Sequence, residues 1–204
     1  MSEKLSGFRM PGEWEKQKSV WIAWPYNKND WPGLYKFIPE VILEIIYKIS
    51  KHQKVNLIIN SKIKNIKKIL KLSKIKNISF HRIKTDRIWL RDSGPIFLTN
   101  KKYKKKIILN FVFNGWAKYK NYKNDNKIND KLSKIVKLKK INPTIKKNGK
   151  SRKVIMEGGA FDVNGAGTIL LTEECLLSKI QERNKKFNKK DYEEIFNKYL
   201  NIKN

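Results

Sequence analysis

A carboxylate and a tryptophan lie close together in the segment 86–95. We expect Asp92 to end an apolar strand directly before a Gly-Pro turn, with Trp89 three residues earlier. A carboxylate can accept paired N–H bonds from a planar cation while an aromatic ring stacks on its face. The segment is therefore a candidate site for such a cation. The alternative is a surface ion pair between Arg91 and Asp92 beside a core tryptophan.

A second acid, Glu157, follows an apolar run at 154–156 and precedes Gly158 and Gly159. Paired glycines after a strand indicate that the backbone passes close to another group. We expect this glutamate to contribute to the same acidic pocket as Asp92. The alternative is a glycine-rich bulge that leaves Glu157 in solvent.

A third segment, 113–116, reads Phe-Asn-Gly-Trp. Its tryptophan, Trp116, is a candidate for a second aromatic wall of the pocket. Taken alone, the pattern favours a tryptophan packed in a core.

Short strands alternate with amphipathic helices along the chain, and this alternation would position the three segments. Strands are predicted over 19–25, 55–60, 78–83 and 105–116, and helices over 37–51, 62–72 and 125–140. Asn164-Gly165 predicts a hairpin within 154–177, and Asn188 is a candidate N-cap for a last helix. The pattern predicts an α/β fold formed by one domain over 1–204.

The chain carries a formal charge of +29, from 47 basic and 18 acidic residues. Its most basic segment, 101–153, has nineteen basic residues against Asp125 and Asp130. A cationic surface binds phosphate backbones by releasing counterions, which raises a nucleic-acid hypothesis. Only six residues are arginine, the side chain best suited to paired phosphate or base contacts. The composition therefore favours a solvated lysine surface, and we do not expect nucleic acid as the partner.

Hydrophobic residues make up 40% of the 204 residues, which is typical of a globular protein. No run of about 18 apolar residues is present, so no membrane partner is expected. The N-terminus lacks the pattern of a signal peptide. Cys175 is the single cysteine, which is compatible with a reducing compartment. We expect a cytoplasmic protein.

Seven motifs, taken in order, resemble the agmatine deiminase family, which is also grouped with bacterial-type peptidyl-arginine deiminases. They are MPGEWE (10–15), VWIAWP (20–25), DWPG (30–33), WLRDSGP (89–95), FNGW (113–116), EGGAFDVNGAGTILLTEECLL (157–177) and RN (183–184). A single motif such as EGG is a weak signal. The ordered set is specific, and it covers nearly the whole chain.

The resemblance implies a pentein-type α/β-propeller, in which five ββαβ-type units surround an active site. This chain would supply about three of those units, as a C-terminally incomplete deiminase domain. The resemblance also implies hydrolysis of agmatine to N-carbamoylputrescine and ammonia, a step toward putrescine, with no metal or organic cofactor. The expected partner is a small-molecule guanidinium substrate, and the oligomeric state stays open.

Matched to the family motifs, Asp92 is the acid that binds the guanidinium group, and Glu157 is the acid that orients the catalytic histidine. Trp89 and Trp116 match aromatic residues that line the substrate pocket. In the family's chemistry a thiolate attacks the guanidinium carbon, ammonia leaves, and water releases the ureido product.

The chain departs from the family in the groups that carry out this reaction. Family members have a catalytic histidine in an H-x-D motif and a nucleophilic cysteine near the C-terminus, and neither motif occurs here. No acid lies two positions after His52 or His81, and Cys175 matches a non-catalytic part of the pattern. We expect a fragment that is inactive by itself. The alternative is a shortened homologue that has lost hydrolysis.

Two other functions stay open at this point. A peptidyl-arginine deiminase-like enzyme would bind the same guanidinium head with a different tail, and the motifs above concern the head. A non-catalytic module that binds nucleic acid through 101–153 is the remaining hypothesis.

Overall fold

The computed structural model describes residues 5–60 and 75–204. The helix predicted at 62–72 lies outside these residues. Across the described parts of the chain, every helix is too short or too polar to span a bilayer.

The chain divides into two compact units. Of the described residues, 5–15 and 91–204 form the larger unit, and 16–60 and 75–90 form the smaller one. The expectation of a single domain over 1–204 stays a prediction.

The smaller unit is a parallel three-stranded sheet with one described α-helix. Its elements are β1 (Ser19–Ala23), α1 (Ile38–Ser50), β2 (Lys54–Ile59) and β3 (Ile78–Arg82), and the strand order is β1-β2-β3. Parallel strands need a crossover connection, and α1 provides it between β1 and β2. Ile46 of α1 packs with Val55 and Leu57 of β2, and all three are fully buried. These elements confirm the helix and the three strands predicted for this part of the chain.

The chain enters the larger unit through a helical turn and then forms a strand–strand–helix–strand succession. The elements are α2 (Leu90–Ser93), β4 (Ile96–Asn100), β5 (Lys105–Leu109), α3 (Ile128–Val136) and β6 (Lys140–Ile141). β4 and β5 pair antiparallel, and β6 pairs parallel with β5. Ile128 and Leu132 of α3 are fully buried, as their helical spacing predicted. The succession is a ββαβ unit, the type that the resemblance implies.

Two antiparallel hairpins and two helices complete the larger unit. They are β7 (Thr144–Lys147) with β8 (Lys150–Lys153), β9 (Phe161–Val163) with β10 (Ile169–Leu171), α4 (Glu173–Leu177) and α5 (Lys189–Leu200). Gly165, with φ +72, lies in the loop between β9 and β10, which confirms the predicted hairpin. Asn188 caps α5 through a capping box with Asp191, which confirms the predicted N-cap. Phe161 of β9 and Phe196 of α5 pack in one core.

The expectation that Asp92 ends an apolar strand is wrong. Asp92 lies in α2, a single helical turn, and β4 begins only after Pro95. The strand predicted over 105–116 also ends early, at Leu109. An apolar run as short as 88–90 has no periodicity that separates a strand from a helical turn. Asp92 therefore projects from a turn and does not follow the alternation of a strand.

Arg9 forms an ion pair within the N-terminal segment of the larger unit and ties that segment to the β9–β10 hairpin. Arg9 Nη2 donates to Glu15 Oε2 at 2.6 Å, and Arg9 Nη1 donates to the Gly165 carbonyl oxygen at 3.0 Å. The hydrogen bond from Arg9 lowers the pKa of Glu15 from 4.5 to about 2. This carboxylate therefore stabilises the fold through its charged form.

Glu15→Gln is expected to destabilise the protein at neutral pH and to have no effect in strong acid. Because folding lowers the pKa of Glu15 from 4.5 to about 2, its contribution is complete above the upper value and is lost as pH falls through the lower one. Thermal unfolding of both proteins across this pH range checks the prediction. A gap between the two midpoints that stays constant down to the lowest pH would contradict it.

Candidate functional site

Two hydrogen-bond donors hold the Asp92 carboxylate. They are the side chain of Trp116 and the backbone N–H of Gly159. The turn that carries Asp92 is fixed in addition by Asn129, whose amide donates to the Ser93 carbonyl oxygen at 3.2 Å. Asn129 and Ser93 are buried, whereas Asp92 is half-buried. The carboxylate is therefore fixed in position and still reachable from solvent.

The two glycines after Glu157 let their backbone pass against α2. A methyl group on Gly158 would lie 2.5 Å from the Arg91 carbonyl oxygen, and one on Gly159 would lie 2.2 Å from Asp92 Oδ1. No side chain fits at either distance. The predicted close approach is confirmed, and its partner is the Arg91–Asp92 turn.

Glu157 is buried, with 2% of its surface exposed, so the alternative that leaves it in solvent is wrong. Its Oε1 accepts a hydrogen bond from Arg183 Nε at 2.8 Å, and the two side chains are only 2% and 4% exposed. The next residue, Asn184, bonds the backbone N–H of Ile155 at 2.9 Å and its carbonyl oxygen at 2.7 Å. Arg183 and Asn184 thus fix both the acid and the segment that carries it.

Trp116 lies in a loop with left-handed backbone. The backbone angle φ is +60 at Trp116 and +56 at Ala117, and residues other than glycine rarely adopt this conformation. Asn114 Oδ1 accepts from the Ala117 N–H at 2.9 Å, and the Phe113 ring packs edge-on against the Trp116 ring at 4.9 Å. These contacts hold the strained loop so that the Trp116 side chain donates to Asp92. Trp116 therefore has a hydrogen-bonding part in the site as well as an aromatic ring.

The environment of Asp92 opposes its ionisation. Burial raises the pKa of the Asp92 carboxyl, and the negative charge of Glu157 raises it further. The hydrogen bonds from Trp116 and Gly159 and the positive charge of Arg91 lower it, without cancelling the rise. A bound cation would offset both unfavourable effects. We call Asp92 and Glu157 the carboxylate pair.

Trp89 belongs to the smaller unit, whereas the other predicted site residues belong to the larger one. Its ring packs against Trp31, with centroids 5.8 Å apart, and it is 40% exposed. The structure brings together Asp92, Glu157 and Trp116 within the larger unit. The place of Trp89 in a substrate pocket stays a prediction.

The two histidines of the chain belong to the smaller unit. His81 lies in β3, with its Nε2 3.1 Å from Asn56 Oδ1, and His52 follows α1. Burial, assisted by the charge of Lys54, lowers the pKa of His81. Cys175 lies in α4 and packs against the core of the larger unit. These surroundings are typical of structural side chains.

Two surface cavities of the larger unit lie away from the carboxylate pair. One is lined by residues that include Arg9 and Tyr103, and the other by residues that include Gly165. Neither cavity is lined by Asp92 or Glu157. The candidacy of the pair therefore depends on its charges, burial and hydrogen bonds.

Arg183 is the site residue to which the sequence motifs gave no role. Among the described residues, four of the six arginines contact a carboxylate: Arg9, Arg87, Arg91 and Arg183. Of the many lysines in the same described residues, three do so: Lys48, Lys140 and Lys147. In a chain this rich in lysine, an arginine marks a place that needs a planar, forked donor. That signal would have identified Arg183 from the sequence.

Gly159→Ala is expected to displace the Asp92 carboxylate and to destabilise the protein by about 1–3 kcal/mol, as overpacking does. Gly149→Ala is the control, because its added methyl group meets nothing within 4 Å, although φ +73 adds backbone strain. Denaturant unfolding measures the destabilisation, and the carboxyl ¹³C resonance of Asp92 measures the displacement. The prediction fails if the Asp92 carboxyl resonance has the same chemical shift in Gly159→Ala as in Gly149→Ala.

Comparisons with known proteins agree with the motifs. The family model for Porphyromonas-type peptidyl-arginine deiminase matches residues 9–204. A Streptococcus mutans protein named "Putative agmatine deiminase" is 32% identical over 208 residues, which cover 97% of this chain and 52% of that protein.

Solved structures give the same result. The agmatine deiminase of Enterococcus faecalis matches with a TM-score of 0.81 and 28% identity, over 98% of this chain and 52% of that one. A second structure, of a protein with the same name as the Streptococcus relative, has a TM-score of 0.84 and 31% identity, over 98% and 54%. The predicted α/β fold of the deiminase type is confirmed. The chain spans about half the length of the relatives it matches.

Proposed function

We propose that this chain, which belongs to the Porphyromonas-type peptidyl-arginine deiminase family, provides the guanidinium-binding part of an agmatine-hydrolysing site. The reaction is agmatine plus water to N-carbamoylputrescine plus ammonia, a step toward putrescine. The proposal takes its substrate from the names of the relatives, and its chemistry from the carboxylate pair.

The observation that carries the proposal is a fixed acid in surroundings that favour a bound cation. A guanidinium group is planar and donates paired N–H bonds, which a carboxylate accepts bidentately. Asp92 is already oriented by Trp116 and Gly159, so little order is lost when a cation binds. The nearby charge of Glu157 adds to the attraction for a cation and disfavours an anion.

The remaining roles follow the family motifs. Trp116 is proposed to orient Asp92 and to offer an aromatic edge, and Trp89 is proposed to stack on the substrate. Glu157 is proposed to orient the catalytic histidine. Because the surroundings of the two histidines and the cysteine are structural, we propose that these 204 residues bind the guanidinium group without hydrolysing it.

The test is ammonia release from agmatine by two proteins. One is the 204-residue chain, and the other is the same residues joined to the second half of a matched relative. We expect no release from the first, and release from the second that Asp92→Asn abolishes. Release by the chain alone would refute its proposed inactivity, and a folded chimera that releases no ammonia would refute agmatine hydrolysis.

Peptidyl-arginine is the alternative substrate, favoured by the description of the family. The described contacts concern the guanidinium head, which both substrates share. The rates of the chimera on agmatine and on a peptide with a central arginine separate the two. We expect the higher rate on agmatine, and a preference for the peptide would reverse the assignment.

A basic surface on the β4–β5 turn favours a third candidate, nucleic-acid binding. Residues 101–106 are all exposed, and Tyr103 at the centre of the turn is 60% exposed. A solvated lysine surface binds polyanions weakly and loses them as salt rises. We expect binding to DNA or RNA to disappear at physiological salt, and retention there with a site preference would support the third candidate.

A further inference from the structure

We propose that Arg183 is a positioning residue of this site: it keeps Glu157 in its charged form, so that a proton taken up by the carboxylate pair resides on Asp92. The inference rests on the proposed function for its consequence in substrate binding. Its evidence is the geometry around the two acids.

Arg183 is held in a fixed place against Glu157. Its Nε donates to Glu157 Oε1 at 2.8 Å, and its Nη1 donates to the Gln181 carbonyl oxygen at 2.5 Å. Only 4% of the Arg183 side chain is exposed. A guanidinium keeps its proton even when it is buried, so the charge next to Glu157 is permanent.

Tyr192 is a neutral neighbour of the Glu157–Arg183 ion pair. Tyr192 feels the charges of Glu157, Arg183 and Glu182, and its hydroxyl oxygen accepts from the Asn184 amide at 3.0 Å. Burial is the main reason that the pKa of Tyr192 is raised. The phenol therefore stays neutral, and among the described contacts the ion pair with Arg183 balances the charge of Glu157.

Asp92 has a different set of neighbours. Its two hydrogen-bond donors, from Trp116 and Gly159, are neutral. The nearby cation, Arg91, has its side chain engaged elsewhere: Nη1 bonds Glu13, and Nη2 donates to Asp162 at 2.9 Å. The carboxylate pair is thus asymmetric, because one acid contacts a cation directly and the other contacts neutral donors.

This asymmetry determines where a proton is bound. Two carboxyls that feel each other resist carrying two negative charges, and the acid with the better-stabilised anion loses its proton first. Here that acid is Glu157. A guanidinium ligand that binds to protonated Asp92 displaces the proton to solvent, and the Asp92 carboxylate then pairs with the cation. Binding is therefore coupled to the release of a proton.

Arg183→Met and Arg183→Lys test the inference through the ¹³C titration of the Asp92 carboxyl in the 204-residue chain. A buried Glu157 without its cation takes up a proton. Asp92 then loses its charged neighbour, so its pKa should fall in Arg183→Met, as it should in Glu157→Gln. Arg183→Lys keeps the positive charge and should leave the pKa of Asp92 close to its value in the parent protein.

A rise in the pKa of Asp92 in Arg183→Met would overturn the inference. If Glu157 stays charged in Arg183→Met, removal of a nearby positive charge makes Asp92 harder to ionise, and its pKa rises. No change would show that Arg183 has a packing role alone. If Arg183→Met is unfolded at neutral pH, the pH is lowered and the folded fraction is measured. Folding in mild acid supports the inference, and failure to fold at any pH overturns it.

Agmatine added to the same samples separates this inference from the proposed function. A fall in the pKa of Asp92 without any agmatine binding leaves the inference standing and removes the proposed function. If agmatine binds and the pKa of Asp92 rises in Arg183→Met, the proposed function stands and the inference is removed.

Discussion

Arg183→Met is expected to lower the free energy of unfolding by about 3–5 kcal/mol at neutral pH, the cost of removing one partner of a buried ion pair. The partner left behind, Glu157, is 2% exposed and lies in a segment that Gly158 and Gly159 hold against α2. It cannot turn to solvent without moving that backbone. The methionine fills much of the volume of the arginine, so the loss comes mainly from the charge.

Two matched variants make this measurement specific. Lys48→Met removes the cation of an exposed i,i+4 pair with Glu44, whose side chains are 68% and 62% exposed, and should cost no more than about 0.5 kcal/mol. Glu157→Gln added to Arg183→Met removes the acid that has lost its partner and should recover part of the loss. Denaturant unfolding measures all three proteins. A loss in Arg183→Met as small as that in Lys48→Met would contradict the account.

Asp92→Asn is expected to weaken agmatine binding by about 30-fold or more while it stabilises the fold. A neutral amide loses the charge-assisted bonds to the guanidinium group, and losing one partner of such a pair costs about 2–5 kcal/mol. The amide also removes the unfavourable burial of charge and the repulsion from Glu157 that raise the pKa of Asp92. A residue whose removal stabilises the fold serves another purpose, which under the proposed function is to bind the cation.

The stabilising effect of Asp92→Asn has a definite pH dependence. Because folding raises the pKa of Asp92, its favourable contribution is complete below the pKa of the unfolded chain and is lost as pH rises through the folded value. The stability of Asp92→Asn should therefore equal that of the parent in acid and exceed it increasingly as pH rises. Agmatine binding to the parent should weaken over the same range as pH falls.

Asp130→Asn is the control for Asp92→Asn. Asp130 is an acid of the same unit, its side chain is 51% exposed, and it pairs with Lys140 at the surface. The control should leave agmatine binding unchanged, and it should not stabilise the fold. Calorimetric titration and thermal unfolding measure both. An equal loss of binding in the two variants would show that the general field of the protein, and no particular acid, attracts the ligand.

The strands and helices of this fold were predictable where the hydrophobic pattern was long enough to have a period. The stretch 37–51 repeats apolar residues at helical spacing and forms α1, and the strands near 55–60 and 78–83 form as predicted. The run 88–90 was too short for such a decision, and the chain there enters a helical turn. The loop at Trp116 was also unpredictable, because left-handed backbone at a tryptophan goes against local preference and depends on tertiary contacts.

The two acids of the site were predictable from the sequence, whereas the ion pair that holds Glu157 was not. Glycines after Glu157 indicated a close approach, and the structure supplies its partner, the turn at Asp92. Arg183 lies 26 residues beyond Glu157, and no local pattern connects them. The RN motif at 183–184 and the rarity of arginine among so many lysines mark the residue, but neither indicates its partner. The order in which two acids ionise depends on such distant contacts, and for that reason it follows from the structure.

The most direct measurement of the central claim is the carboxyl ¹³C resonance of Asp92 in the 204-residue chain during titration with agmatine. Putrescine is the matched ligand, because it keeps the amine and the carbon chain and lacks the guanidinium group. Agmatine is expected to move the resonance toward the ionised form in a saturable way, and putrescine at the same concentration is expected to leave it in place. An equal response to both ligands, or no response to agmatine, would contradict the assignment of Asp92 as the guanidinium-binding acid.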